Sequence, residues 1–111
     1  MDARKRSCVP VGYVRCSTLR PGPLAEQVGA IVALARRGVP LKALAADFSN
    51  GRTVNRAGLR GLLEAAKGGL VSEVVVSHPS RLARSYAKLE DLLRQFDALG
   101  VRVTFASQVT R

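Results

Sequence analysis

Residues 71–84, VSEVVVSHPSRLAR, decide how the rest of the chain is read. The run Val74-Val75-Val76 within Val71–Ser77 is the clearest strand signal in the chain, and His78-Pro79 ends it. From Ser80 onward, Leu82, Tyr86, Leu89, Leu92, Leu93 and Phe96 recur at helical spacing. That pattern predicts one long helix from Ser80 to about Leu99, stopped by Gly100. Val101–Phe105 (VRVTF) then reads as a further strand, so the segment forms a β-α-β unit.

The same alternation extends upstream. Cys8–Arg15 (CVPVGYVR) reads as a buried strand, followed by polar Arg15–Thr18 and a Pro/Gly-punctuated loop, Leu19–Pro23. Leu24, Val28, Ile31, Val32, Leu34 and Ala35 mark a helix from Leu24 to Arg37, which Gly38 stops. Leu41–Phe48 carries helix-favouring alanines and Lys42, but its place between two helices and before a turn favours a strand. Ser49–Asn55 (SNGRTVN) is a polar loop of the kind that carries binding groups. Asn55 is the expected cap of a helix over Arg56–Lys67, with Leu59, Leu62, Leu63 and Ala66 on one stripe and Gly68-Gly69 closing it. The order β-α-β-α-β-α-β implies an α/β fold of three layers, with a mostly parallel central sheet of four to five strands flanked by helices.

With 111 residues, 47% of them hydrophobic, the chain has the material for one modest core. No apolar run approaches the roughly 20 residues that a bilayer-spanning helix needs, and no secretion-signal pattern follows the charged start. The expected location is the cytoplasm, with no membrane partner. Cys8 and Cys16, on one extended strand, would lie about 26 Å apart, beyond disulfide reach. His78 is the single histidine and no CxxC occurs, so a Cys/His metal site is not expected.

Eighteen Lys and Arg against eight Asp and Glu give a formal charge of +10, and 14 of the basic residues are Arg. Such a surplus attracts polyanions, and the guanidinium fork matches phosphate oxygens bidentately. A GC-rich coding sequence accounts for Arg abundance equally well, so position has to decide. In parallel sheets, ligands bind beyond the carboxyl ends of the strands. Arg15 and Ser17, the segment Asp47–Arg56, and Arg81 with Arg84 all fall there. Arg81, Arg84 and Lys88, at i, i+3 and i+7, would share one face at the start of the long helix, where their cations repel unless an anion such as phosphate sits among them. A lone Ser17 reads as a cap or loop hydroxyl. Beside several guanidiniums its alkoxide is stabilised and a phosphoryl group that it attacks is polarised.

Tyr13-Val14-Arg15-Cys16-Ser17-Thr18, Gln27, Asp47 with Asn50-Gly51, Arg56 with Gly58-Leu59, Leu62-Leu63, and Val75-Val76 leading to Arg81-Leu82-Ala83-Arg84-Ser85 resemble the catalytic domain of the serine recombinases, the resolvase/invertase family. The resemblance covers about residues 10–106, with the motifs in the family's order and at its spacing. It implies a resolvase-like domain that cleaves and rejoins DNA in site-specific recombination. Ser17 would be the nucleophile, forming a 5′-phosphoserine intermediate, and neither a metal nor another cofactor would be needed. Arg15, Arg81, Arg84 and Arg56 would be catalytic. Gln27, Asp47, Ser49, Asn50, Ser80 and Lys88 would bind DNA or phosphate or support the site.

Two departures qualify the resemblance. Ser80 stands where the family usually has Asp before the RLxRS motif, and Asn50 stands where it has a loop serine, with Ser49 beside it. The loss of a carboxylate keeps open an alternative: a catalytically impaired resolvase-like protein, or remnant, that binds DNA or phosphate. Residues 1–7 read as a basic tail, 8–106 as the domain and 107–111 as a C-terminal tail, without the family's dimerisation helix or DNA-binding domain. The family works as dimers and tetramers, so a homo-oligomer is expected in a full-length context. A phosphoacceptor receiver domain fits the fold class but lacks an acidic pair after the first strand.

Overall fold

The computed structural model describes residues 8–17, 21–38, 41–48 and 56–108. Strands β1 (Val9–Cys16), β2 (Ala43–Phe48), β3 (Val71–Val76) and β4 (Arg102–Phe105) form a sheet in the order β2-β1-β3-β4, parallel throughout. Helices α1 (Pro21–Ala35), α2 (Ala57–Lys67), α3 (Pro79–Leu82) and α4 (Tyr86–Ala98) connect them, and a 3-10 turn, Ala106–Gln108, follows β4. Parallel strands need crossovers, and these helices provide them.

Alternation along β1 assigns its two faces. Val11 and Tyr13 pack with Leu59, Leu62, Leu82, Leu92 and Phe96, so α2, α3 and α4 cover one side. Val14 packs with Ile31, Leu34 and Val75 beneath α1 on the other. Fully burying residues such as Leu59 and Phe96 contributes about 1.5–3 kcal/mol each. On the α1 side, a Cβ at Gly12 would lie 2.9 Å from Leu44 Cδ1 and 3.4 Å from Ile31 Cγ2, so a side chain there would displace the exposed tip of Leu44. The ambiguous segment before the polar loop is a strand, β2, at the sheet edge. Its Leu44 and Phe48 remain exposed. No helix among the described residues is long and apolar enough to cross a membrane.

Three expectations need correction. The single helix over Ser80–Leu99 is two helices, because Ala83 is extended (φ −159°, ψ 145°) and Ser85 caps α4, its Oγ accepting from the Lys88 N–H. Serine side chains favour such caps, and the four-residue spacing of Leu82 and Tyr86 bridged the break in the sequence pattern. Tyr86 is 74% exposed and does not belong to the apolar face. Second, α1 begins at Pro21, inside the expected loop, since proline is tolerated in a first turn whose N–H groups lack helical partners. Third, the cap position of α2 is Arg56, not Asn55.

Candidate active site

Arg15 lies near the carboxyl end of β1, on the face covered by α2 and α3, and is 0% exposed. Its Nη2 donates to the Ser80 carbonyl at 2.9 Å and its Nε to the Arg81 carbonyl at 3.1 Å. Arg56 Nη2 donates to the next carbonyl, that of Leu82. Two buried guanidiniums thus hold three consecutive carbonyls of the one-turn helix α3. The last carbonyls of a helix have no partner within it, so cations there both satisfy hydrogen bonds and complement the dipole. The distant RLxR segment is thereby tied to the strand that leads to Ser17.

Backbone geometry near Arg15 is set by Gln27. The pairing of β1 with β3 ends at Tyr13 and Val76, which leaves Arg15 beyond the partner strand. Buried Gln27 on α1 takes the partner's place: its Oε1 accepts from the Arg15 N–H at 3.1 Å, and its Nε2 donates to the Arg15 carbonyl at 3.0 Å. Nε2 also lies 3.2 Å from both Cys16 Sγ and the Pro23 carbonyl. Both ends of the amide are thus engaged where an unpaired buried group would be costly.

Asp47 lies opposite Arg15 in the β1–β2 register but points its carboxylate at α2. Oδ1 accepts from the Gly58 N–H at 2.8 Å and Oδ2 from the Leu59 N–H at 2.9 Å, so a strand residue caps α2 in place of a local side chain. Oδ2 also accepts from the Tyr13 hydroxyl at 2.7 Å. Burial, followed by this hydrogen bond, raises the Tyr13 pKa far above its usual range. The Arg56 guanidinium lies 5.7 Å from the centroid of the Tyr13 ring, within cation–π range. Arg56 Nε and Nη1 are buried without a hydrogen-bond partner among the described residues. Each such donor costs about 1–3 kcal/mol, which the ring face offsets in part.

The charges are concentrated. Burial lowers the Arg15 pKa, and Arg56, Arg84 and Arg81, in that order, lower it further by repulsion. An anion placed among these guanidiniums would relieve the repulsion, and phosphate offers oxygens suited to their forks. Arg81 is partly exposed on α3 and Arg84 exposed in the extended joint between α3 and α4. Ser17 is exposed just past the end of β1, two residues from Arg15.

Of the residues singled out from sequence, Arg15, Ser80, Arg81 and Gln27 meet through direct contacts, Arg56 joins them through the Leu82 carbonyl, and Asp47 is linked to Arg56 through Tyr13. Lys88 is on α4, a helix separate from Arg81, so the shared helical face at i, i+3 and i+7 does not exist. Ser49 and Asn50 lie outside the described residues. Tyr13 was not expected to take part, although a tyrosine inside an apolar strand signals a buried hydroxyl that needs a partner. His78, read from sequence as the end of the third strand, caps α3, with Nδ1 accepting from the Ser80 N–H at 3.1 Å and lying 3.0 Å from Ser80 Oγ. The signal was Pro79, since proline favours the first helical position and so places a cap directly before it. His78, Ser80 and Arg81 line a groove of about 620 Å³ that also borders Gln27 of α1 and Arg37 in the turn that follows it.

The family model described as Resolvase, N terminal domain, matches residues 10–111. Among solved structures, the chain is similar to the C-terminal catalytic domain of IS1535 TnpA, an IS607-like serine recombinase, at 30% identity with a TM-score of 0.73, covering 86% of this chain and 69% of that one. The C-terminal catalytic domain of ISC1926 TnpA, another IS607-like serine recombinase, shares the fold at 24% identity and a TM-score of 0.78, covering 87% and 66%. So does the N-terminal catalytic domain of TP901-1 integrase, at 18% identity and a TM-score of 0.79, covering 90% and 79%. This chain therefore spans about two thirds to four fifths of the length of those it matches. None of the curated proteins matches it.

Proposed function

The chain belongs to the resolvase family, and on that footing we propose that it is the catalytic domain of a site-specific DNA recombinase that cuts and rejoins strands through Ser17. The Ser17 hydroxyl gives up its proton as its oxygen attacks the scissile phosphorus. The bond from phosphorus to the 3′ oxygen breaks, the 3′ oxygen takes up a proton, and the 5′ phosphate remains esterified to serine. Attack by a 3′-hydroxyl on this ester reverses the step and regenerates Ser17. The phosphoester conserves the bond, so the cycle runs without an added energy source. DNA is the partner, and the domain works as a dimer or tetramer in a full-length context within the cytoplasm.

The observation that carries this reading is the bonding of Arg15 to the Ser80 and Arg81 carbonyls. It supports an assembly in which Arg81 and Arg84 meet the nonbridging phosphate oxygens beside Ser17. In the conformation seen, Arg15 and Arg56 direct donors to the α3 backbone, which supports a role in orienting that turn and in adding positive potential behind it. The Ser80 side chain favours a second reading, a DNA- or phosphate-binding protein of low turnover. It supplies no carboxylate and is turned toward His78.

A nicked or otherwise trapped DNA substrate separates the two. The recombinase reading expects a covalent protein–DNA adduct with the parent chain and none with Ser17→Ala, both binding DNA alike. Salt-sensitive DNA binding with no adduct from either chain would support the second reading and overturn the first.

A further inference from the structure

We infer that His78 is a positioning residue of the strand-cleavage site, acting through Ser80 on the turn that holds Arg15. The Ser80 backbone N–H is a fixed donor, so the Nδ1 atom that it meets at 3.1 Å must be unprotonated and the ring proton of neutral His78 resides on Nε2. Ser80 Oγ lies 3.0 Å from the same nitrogen and can rotate its proton onto it. On its other side Ser80 presents its carbonyl to Arg15 Nη2 at 2.9 Å. A single residue therefore connects the imidazole to the buried guanidinium.

This connection has a physical purpose. A helix of four residues has little cooperative stability of its own, and its orientation depends on the groups bound to its two ends. Arg15 and Arg56 hold the carbonyls at the C-terminal end. His78, with Pro79 fixing the first helical φ, holds an N–H at the other. Arg81 lies within this turn and Arg84 two residues past its end, so freeing the N-terminal end changes the aim of both. At the position where the resemblance leads one to expect a carboxylate, the chain instead has a hydroxyl anchored by an imidazole two residues earlier. The kinetic consequence rests on the reading of Ser17 as nucleophile, whereas the hydrogen bond itself does not.

Two measurements test the inference separately. In the uniformly 15N-labelled chain, His78 is the only histidine, and a through-hydrogen-bond 15N–15N coupling is expected between the Ser80 amide and Nδ1. Failure to detect the coupling while neighbouring Ser80 signals are sharp would overturn it. For the kinetic arm, His78→Ala should slow adduct formation at saturating trapped DNA about fivefold to tenfold, the effect of losing a helix cap, with DNA affinity unchanged. His78→Asn, whose Oδ1 can accept the same N–H, should restore the rate. An alanine variant as fast as the parent, or an asparagine variant as slow as alanine, would overturn the positioning role. Exposed His78 is not a core residue, and thermal melts of both variants verify that they fold. If the parent itself forms no adduct, the recombinase reading fails while the coupling still decides whether His78 anchors the turn.

Discussion

Arg15 Nη2 donates to the carbonyl of Ser80, 65 residues away in sequence, at 2.9 Å. Together with the bond from Nε to the Arg81 carbonyl, this joins the first strand of the sheet to the turn after the third. Lysine keeps the charge but cannot reproduce two divergent N–H bonds. Arg15→Lys should lower stability by about 2–4 kcal/mol, read from the urea midpoint, because buried charge-assisted hydrogen bonds are lost. It should also eliminate adduct formation while leaving salt-sensitive DNA binding measurable.

Gly58 and Gly61 lie on the same helix but in different surroundings. A Cβ at Gly58 would meet the Ala46 carbonyl oxygen at 2.5 Å and both Asp47 carboxylate oxygens at 2.9 Å, whereas at Gly61 nothing lies within 4 Å. Gly58→Ala should therefore destabilise the chain by about 1–3 kcal/mol. Gly61→Ala should stabilise it by about 0.5–1 kcal/mol through helix propensity. Thermal melts of the two variants should move in opposite directions.

Tyr13 gives an alkaline signature. Its folded pKa is raised above the ordinary tyrosine value of 10.0, first by burial and then by its bond to Asp47. Between these values the folded chain holds a proton that the unfolded chain has released, so stability falls as pH rises above about 10. The contribution is fully present below that value. Tyr13→Phe should remove this alkaline decline while lowering stability at neutral pH by about 1 kcal/mol, since Asp47 loses one donor. Urea unfolding at neutral and alkaline pH measures both effects.

Gln27 replaces a missing strand at one residue, so Gln27→Leu leaves the Arg15 N–H and carbonyl without that partner. A loss of about 2–4 kcal/mol is expected from two buried backbone groups, while Gln27→Glu keeps the acceptor for the N–H and loses the donor to the carbonyl. Hydrogen exchange at the Arg15 amide should accelerate in the leucine variant and stay closer to the parent in the glutamate variant.

Much of the fold could be read from the sequence, because its strongest signals are local. Val74-Val75-Val76 marked β3, and the leucine stripe from Leu59 marked α2. Gly38 and Gly100, with φ of 114° and 74°, marked helix ends where the backbone turns left-handed. What was not legible depends on partners distant in sequence. Helix α2 takes its cap from Asp47 on β2, so a search among adjacent residues pointed to Asn55. The break at Ala83 has no proline or glycine, and Arg15 and Arg56 hold the carbonyls on its N-terminal side. In the site, residue types at strand ends singled out Arg15, Arg56 and Arg81 but not what their donors would bind. The bond from Tyr13 to Asp47 and the cap that His78 gives Ser80 were not legible, because spacing does not encode which side chains meet.

Mapping the residue that becomes joined to DNA tests the proposed chemistry most directly. After reaction with a trapped duplex and proteolysis, mass spectrometry should place the nucleotide on the peptide containing Ser17, as a 5′-phosphate ester of its hydroxyl. The free DNA end should be a 3′-hydroxyl. An adduct on another residue, or cleavage that leaves a 5′-phosphate free with no covalent intermediate at any time, would contradict it.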